Sequence, residues 1–206
     1  MTVKLLIATR SAGKRREITD ILCELAGAEV VFPEDIGLAP HAEEDGLESG
    51  DSCGENARHK AEYFARLSGL PTAADDPGLE VFSLGGAPGV RSRRFALPAP
   101  NQDAANNAEL LRRLSGAPAA RRRARYRCVV VYVARADGAA HTFEGICGGA
   151  ILEAGRGTGG FGYDPLFQSD DLGKSFGEAT ADEKDGGSHR GRAFRALLDR
   201  LAAQRG

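Results

Sequence analysis

The feature that most constrains the fold is a continuous apolar run near the start of the chain, VKLLIAT, residues 3–9. Such a run is typical of a strand that is buried on both faces. The segment RSAGKRREITDILCEL follows, and its apolar residues recur at helical spacing: Ile18, Ile21, Leu22 and Leu25. The chain therefore begins with a strand, a glycine-containing turn and a helix, which indicates an α/β protein.

Strands and helices alternate along the rest of the sequence. GENARHKAEYFARLSG predicts a second helix that stops at Gly69, and DAANNAELLRRL predicts a third with Asp103 as its N-cap. YRCVVVYVAR and HTFEGICGGAILEA predict a hairpin around the turn ADG, and RAFRALLDRL predicts a last helix. With 206 residues, we expect a single domain over 1–206, with or without an inserted lobe.

The composition excludes several classes of partner. A formal net charge of -2, with 27% charged residues, gives no bulk attraction to nucleic acid or anionic lipid. No apolar run approaches eighteen residues, and basic residues come too early for a signal peptide, so we expect a cytoplasmic protein that binds neither nucleic acid nor membrane. The four cysteines lack metal-finger spacing and are expected to be buried thiols.

Two adjacent carboxylates lie in the stretch TAADDPGLEVF. Asp75 and Asp76 come directly before Pro77 and Gly78, between the predicted short strands TAAD and LEVF. Since Asp, Pro and Gly are common turn residues, one interpretation is a solvated reverse turn with no function. Two ionised aspartates side by side repel each other, so the pair also raises the question of what compensates their charge.

Three further stretches could carry chemistry. ATRSAGKRRE sets Gly13 and Lys14 where a strand meets a helix, a position that favours an anion, although many α/β proteins have such a turn without a ligand. Asn56 and Lys60 share a helix face downstream of Glu48, which could equally be a solvated face. GTGGFGYDP exposes two aromatic side chains on a glycine-rich loop, where a nucleobase could stack, unless they pack under the loop.

These segments occur together, in order, as ATRSAGK, LESGDSCGENARHKA, ADDPGLEVFSLGGAPGVRSRRFA, GTGGFGYDPLF and SHRGRAF. The set closely resembles the family of inosine and xanthosine triphosphate pyrophosphatases, from about Leu5 to Phe194. The resemblance implies an α/β fold with an elongated, twisted mixed sheet and flanking helices that form two lobes around a central cleft. It also implies a homodimer and Mg²⁺-dependent cleavage of ITP, dITP and XTP between the α- and β-phosphates, which releases a nucleoside monophosphate and pyrophosphate.

The resemblance also assigns roles to residues. Asp76 is expected to be the general base, and Glu48, Asp75 and Asp76 are expected to hold Mg²⁺. Lys14 and Lys60 would neutralise phosphate oxygens, and the Phe161 to Asp164 segment would stack on and border the base. The implied substrate contacts are Thr9, Arg10, Ser11, Ala12, Gly13, Lys14, Lys60, Pro77, Phe161, Gly162, Tyr163, Asp164, Lys184, His189 and Arg190.

Selectivity follows from the purine 6-position. Hypoxanthine and xanthine carry a carbonyl there, whereas adenine carries an amino group, so a donor such as Arg190 would reject adenine. Guanine shares the 6-carbonyl and must be rejected through its 2-amino group. The sequence does not indicate whether inosine or xanthosine forms, or ribose or deoxyribose, are preferred.

Two alternatives remain open at the level of sequence. Ser11 and Pro77 stand where this family commonly has Asn and Ser, which leaves room for a catalytically weak nucleotide-binding protein of the same fold. The basic run RRRARYR, residues 121–127, could bind RNA, although the paired carboxylates would repel a nucleic-acid backbone.

Overall fold

The computed structural model describes residues 3–23, 28–136 and 138–203. Its strands are β1 (Val3–Ile7), β2 (Ala28–Val31), β3 (Thr72–Val81), β4 (Pro88–Gly89), β5 (Arg123–Val133), β6 (Ala140–Ile151) and β7 (Phe167–Ser169). Its α-helices are α1 (Ala12–Ile21), α2 (Cys53–Ser68), α3 (Gln102–Arg113), α4 (Ala181–Gly187) and α5 (His189–Ala203). Short 3₁₀ helices lie in several of the connections.

The strands form a mixed sheet in the order β2-β1-β3-β5-β6-β7, with β4 paired to β3. β1 runs parallel to β2 and β3, whereas β3 and β4, and β6 and β7, are antiparallel. The predicted α/β fold with a mixed sheet and flanking helices is confirmed. The predicted single domain with two lobes around a cleft stays a prediction.

The chain divides into two compact units. The first unit comprises residues 1–76, 128–145 and 190–206, and the second comprises 77–127 and 146–189. β3, β5 and β6 each contribute residues to both units. Among the described residues, no helix combines the length and the apolar character needed to cross a bilayer.

The core of the first unit forms where β1 meets the apolar faces of α1 and α5. Leu5 and Ile7 pack in one cluster with Ile18 of α1 and with Phe194 and Leu197 of α5. All five side chains are at least nine-tenths buried, so the continuous apolar run of β1 is covered as its sequence predicts. This packing fixes the end of β1 and the start of α1, between which residues 8–11 must turn.

The local signals of α2 explain its position. The Ser52 hydroxyl accepts from the Glu55 backbone N–H, the Glu55 carboxylate accepts from the Ser52 N–H, and both ends of this capping box are therefore satisfied. The helix ends at Gly69, whose φ of 68° lies in the left-handed region that glycine adopts without strain. The predicted stop at Gly69 is confirmed.

The second unit has its own apolar core. Leu79 and Val81 of β3 pack with Leu110 of α3, and Tyr126 lies edge-on to Phe167 with ring centroids 4.7 Å apart. The same cluster buries Tyr163 and Phe176, so these two side chains attach the segment that follows β6 to the apolar core.

Several sequence predictions are wrong in detail. Asp75, Asp76, Pro77 and Gly78 do not form a turn: they lie in the interior of β3, which runs unbroken over ten residues. The N-cap of α3 is Asn101, whose side-chain oxygen accepts from the Ala104 N–H, and not Asp103. α4 was not predicted. Asp137 of the predicted turn ADG and Leu25 of the predicted first helix lie outside the described residues.

Candidate active site

The paired aspartates of β3 point to opposite faces of the strand, because successive side chains in a strand alternate. On one face, the Asp75 carboxylate accepts from Lys14 Nζ at 3.2 Å and from Arg190 Nε at 3.1 Å. On the other, Asp76 accepts from Asn56 Nδ2 at 3.1 Å and from Lys60 Nζ at 3.2 Å. Each carboxylate therefore has its own cation, which relieves the repulsion that the sequence raises.

The electrostatics of Asp75 follow from burial and neighbouring charge. The side chain is almost fully buried, which by itself disfavours ionisation. The positive charges of Lys14, Arg190 and Lys60 outweigh that effect and hold the pKa of the Asp75 carboxyl well below its usual range. Asp75 is therefore a carboxylate at neutral pH, with the cations gathered around it.

Lys60 links the second aspartate to the segment that precedes α2. Its ammonium group donates to Glu48 Oε1 at 2.8 Å, to Asp76 Oδ1 at 3.2 Å and to the Asp75 backbone carbonyl at 2.8 Å. Burial lowers the pKa of Lys60, but the charges of Asp76, Glu48 and Asp75 more than offset this and raise it. Asn56 lies one helical turn before Lys60, and both contact Asp76, as their spacing on α2 predicts.

The predicted metal ligands differ in their surroundings. Glu48 and Asp76 each lie within hydrogen-bond distance of the same cationic group, Lys60 Nζ, so their oxygens converge on one point of positive charge. Asp75 instead has one carboxylate oxygen on Lys14 and the other on Arg190. Within the described ranges, no three His, Cys, Asp or Glu side chains are grouped as ligands of one metal ion.

The turn between β1 and α1 provides an N-cap for α1 that was not predicted from the sequence. The Ser11 hydroxyl accepts from the Lys14 backbone N–H at 3.5 Å, and Ser11 is therefore the N-cap of α1. Thr9 is buried and its hydroxyl accepts from the Ser11 N–H at 3.3 Å, while Ala12 and Gly13 begin the helix.

The side chain of Arg10 points to acids of its own unit. Its guanidinium donates to Glu44 at 2.6 and 2.7 Å and to Glu34 at 2.9 Å, and these contacts hold the segment between β2 and α2. The hydrogen bond with Glu44 raises the pKa of Arg10 further. The structure thus gives the Arg10 side chain carboxylate partners.

Arg190, the second residue of α5, is buried and has two acidic partners in the first unit. Its Nε contacts Asp75, and its Nη1 forms a short ion pair with Glu17 of α1. Burial lowers the pKa of Arg190, but Glu17 and Asp75 more than compensate and raise it. Glu17 is not among the site residues predicted from the sequence. Its position three residues after Lys14 places both side chains on one face of α1, and this spacing could have indicated its role.

In the second unit, Asp164 organises the turn that contains the predicted base contacts. Its Oδ2 accepts from the Phe161 backbone N–H at 2.8 Å and from Lys184 Nζ at 2.5 Å. Lys184 also lies 5.0 Å from the centroid of the Phe161 ring, a cation–π distance. Phe161, Asp164 and Lys184 are therefore one contact group.

The glycine-rich loop is closely packed. A Cβ on Gly157, whose φ is 74°, would lie 2.1 Å from the Gly177 carbonyl oxygen, and one on Gly160, whose φ is 72°, would lie 2.1 Å from Asp164 Oδ2. The expectation that both aromatic side chains are exposed is wrong for Tyr163. That ring is buried, and its hydroxyl donates to the Ser92 carbonyl at 2.8 Å.

The remaining predicted residues also lie in the second unit. His189 is buried and stacks on Tyr126, with ring centroids 4.4 Å apart and planes 7° from parallel. Pro77 is the first residue of the second unit on β3. Two contact groups thus form among the predicted site residues, one around Asp75 and Asp76 and one around Asp164, while Arg10 and His189 have other partners.

The basic run 121–127 has intramolecular partners. Arg122 is buried and donates to the carbonyls of Leu114, Ile151 and Leu152. Arg123 pairs with Asp170 and Arg125 with Glu80. This arrangement favours a structural role over RNA binding.

A mixed α/β fold with buried carboxylates and cations beside a strand-to-helix turn is typical of proteins that act on phosphorylated ligands. The Ham1 family model matches residues 5–200, and the chain belongs to the Ham1 family.

Curated relatives and solved structures agree with this assignment. The chain is 50% identical over 193 residues to the dITP/XTP pyrophosphatase of Syntrophobacter fumaroxidans, which covers 94% of this chain and 79% of that protein. It is 45% identical over 207 residues, the whole of both chains, to the dITP/XTP pyrophosphatase of Methylococcus capsulatus. The structure is similar to that of the Ham1 protein of Staphylococcus aureus, with a TM-score of 0.81 at 32% identity, covering 98% of this chain and 99% of that one.

Proposed function

We propose that this chain hydrolyses the non-standard purine nucleotides dITP, ITP and XTP to the nucleoside monophosphate and pyrophosphate, and so removes them from the nucleotide pool. The proposal rests on the names of its relatives and on one observation: a buried acid on β3, Asp76, is held by Asn56 and Lys60 beside Glu48. Acids and ammonium groups so arranged suit a triphosphate, whose charge must be neutralised before a nucleophile can approach phosphorus.

Asp76 is the proposed general base. Asn56 and Lys60 of α2 each contact one of its two oxygens, and these contacts fix the direction of the Asp76 carboxylate. A base held by an amide and an ammonium group can accept a proton from a water molecule without changing its own position. The Lys60 ammonium group also donates to Glu48, which is the second acid of the pair.

Mg²⁺ is the proposed cofactor, and the donor set fits it. Glu48 and Asp76 converge on one cationic group and offer the carboxylate oxygens that hard divalent ions prefer. Mg²⁺, when bound, screens phosphate charge and polarises the phosphoryl oxygens. Asp75 is the third proposed ligand, and its contacts with Lys14 and Arg190 also position those two cationic side chains.

The proposed phosphate contacts are Lys14, Lys60 and the turn 9–14. Both lysines form ion pairs in a mostly buried setting, where such a pair is weakly screened. The first N–H groups of α1 add donors at the positive end of the helix. Phe161 is the proposed stacking partner of the base, and Lys184, His189 and Arg190 are proposed to complete the base and phosphate contacts.

A homodimer in the cytoplasm is the proposed state of the protein. The dimer is what the family resemblance implies, and Leu97 of the second unit, a large apolar side chain that is 86% exposed, is a position at which to probe it. Cys53, Cys128 and Cys147 are buried thiols, which suits a reducing compartment, whereas Cys23 is exposed and not buried as the sequence predicts. Light scattering after gel filtration of the wild type and of Leu97→Asp tests the dimer: a monomeric wild type would contradict it.

A catalytically weak nucleotide-binding protein was the alternative suggested by Ser11 and Pro77. The role of Ser11 as N-cap of α1 argues against it, since the hydroxyl supplies the acceptor that Asn would supply. We therefore keep hydrolysis as the function.

The test is pyrophosphate release from dITP, ITP and XTP, compared with separate assays on dATP and dGTP. Each assay is run with Mg²⁺ and after removal of Mg²⁺ by EDTA. We expect release from the three non-standard nucleotides that is lost in EDTA and restored by added Mg²⁺. Calorimetric binding of dITP without any release would instead support the binding protein. Equal rates on dATP would contradict the proposed substrate class.

A further inference from the structure

The turn that carries Phe161 is held from outside by one face of α3. The Gly162 backbone N–H donates to Asp103 Oδ2 at 2.8 Å, and the Gly162 carbonyl accepts from Asn107 Nδ2 at 2.9 Å. Asp103 and Asn107 are four residues apart on a helix, so both side chains lie on the same face and reach the donor and the acceptor of one glycine.

The backbone of Gly162 needs such support. Its φ of 63° lies in the left-handed region, and a Cβ there would meet nothing within 4 Å, so the turn is not wedged in place by packing at this residue. Hydrogen bonds to both of its peptide groups therefore add to the bond from the Asp164 N–H to the Phe161 carbonyl in fixing the direction in which the chain leaves Phe161.

The same face of α3 also holds the neighbouring segment. Asn106 Nδ2 donates to the carbonyls of Ser92 and Arg93, and the Ser92 carbonyl also accepts from the Tyr163 hydroxyl. Tyr163 is thus fixed through Ser92, and Gly162 is fixed directly. α3 is the common support of the whole turn.

Asn107 makes its contact at a cost. Its Oδ1 is buried and has no hydrogen-bond partner among the described residues. A buried acceptor without a partner is unfavourable, and an apolar side chain would avoid that penalty. The amide is therefore best explained by its hydrogen bond to Gly162.

We propose that Asp103 and Asn107 are positioning residues for purine binding: by clamping Gly162 they set the orientation of the Phe161 ring over which the base stacks. The inference rests on the proposed function. Lys184 contacts the Phe161 ring, and Asp164 accepts from the Phe161 backbone N–H and from Lys184. The contacts of α3 with Gly162 fix the peptide that follows, so the backbone is held on both sides of the ring.

The decisive variants are Asp103→Ala and Asp103→Asn. Asp103→Ala removes the carboxylate that accepts from the Gly162 N–H, a charge-assisted hydrogen bond, and we expect KM for dITP to rise about tenfold. Because the loss affects binding of the base and not the phosphates, kcat should stay within about twofold. Asp103→Asn keeps a side-chain oxygen at the same place and should return KM to within about threefold of wild type. Asn107→Ala should raise KM about threefold.

Glu109→Ala is the matched control, because Glu109 lies on the same helix and forms ion pairs with Arg112 and Arg113 of that helix. It should leave KM unchanged. A second measurement is amide exchange of Gly162 by NMR, which should be faster in Asp103→Ala and as slow as wild type in Asp103→Asn and Glu109→Ala.

The outcomes separate the two proposals. An active Asp103→Ala with wild-type KM, or with unchanged Gly162 exchange, would overturn the clamp and leave the proposed function intact. A folded wild type that releases no pyrophosphate from dITP would overturn the proposed function and the role in purine binding with it.

Discussion

The charged cluster of the first unit and the Phe161–Asp164 turn of the second unit are held in different ways. In the first, Asp75 and Asp76 are fixed by side chains of opposite charge: Lys14, Lys60 and Arg190. In the second, Gly162 is fixed through backbone N–H and carbonyl groups. The second turn also contains a buried ion pair, Lys184 with Asp164, but its Gly162 is held by hydrogen bonds to the backbone. The difference shows where the chain is sensitive: losing one charge of a buried pair leaves its partner uncompensated, whereas losing one hydrogen bond to Gly162 loosens a turn.

The largest effect is expected from removing the proposed base. Asp76→Asn keeps the shape and the contacts to Asn56 but cannot accept a proton, so kcat for dITP should fall by about 10² to 10⁴, the span for a positioned base. Steady-state pyrophosphate release measures kcat, and calorimetry checks that dITP still binds. Near-normal turnover at saturating Mg²⁺ would mean that Asp76 is not the base.

The next effect concerns Arg190 and distinguishes a base contact from a structural cation. Arg190→Met leaves Asp75 and Glu17 without their buried partner and should lower the free energy of unfolding by about 3 to 5 kcal/mol. Arg123→Met is the control, since it breaks an exposed pair with Asp170 that contributes at most about 1 kcal/mol. Urea unfolding measures both.

The same variant tests the selectivity predicted from the sequence. If Arg190 reads the purine 6-carbonyl, kcat/KM for dITP should fall while that for dATP changes little. Equal losses on both substrates would assign Arg190 to holding Asp75 instead.

A smaller effect is expected from acid. The folded-state pKa of Asp75 lies below its unfolded value, so its contribution to stability is present above about pH 4, the ordinary pKa of an aspartate, and is lost as pH falls further. The loss should be on the order of 2 kcal/mol, measured as the free energy of unfolding in urea from pH 7 to pH 2. Asp75→Asn should flatten this curve; an equally steep curve in that variant would show that other groups cause it.

The smallest effect is expected at Pro77, which has no N–H and no hydroxyl to offer a substrate oxygen. Pro77→Ser should lower KM for ITP about threefold by supplying donors, and should slightly lower the melting temperature because the unfolded chain gains freedom. Kinetics and a melting curve on both proteins measure this. An unchanged or higher KM would show that this part of β3 does not contact the substrate.

Much of the fold could be predicted because its signals are local. The apolar run of β1 and the stop at Gly69 depend on residues near in sequence, whereas Gly13, predicted in a turn, is the second residue of α1. β3 was misjudged because Asp, Pro and Gly favour turns, whereas pairing of its two ends with β1 and β4 keeps the strand extended.

The contacts of the candidate site were less accessible from sequence. Asp75 and Arg190 are 115 residues apart, and nothing in their spacing indicates that they form an ion pair. Asp103 was taken for a helix cap because a cap and a distant clamp use the same residue type. The burial of Tyr163 depends on α3 and on the Ser92 carbonyl, neither of which is close to it in the chain.

The burial of the ion pairs around β3 has a consequence for the ionic strength at which the protein is studied. Mobile ions screen charges that water reaches, and they act weakly on pairs such as Lys60 with Asp76, whose side chains are 9% and 8% exposed. Pairs such as Arg123 with Asp170, at 48% and 47%, are open to that screening. Added salt should therefore weaken the attraction between free nucleotide and protein, while the buried cluster that is proposed to bind the phosphates keeps its arrangement.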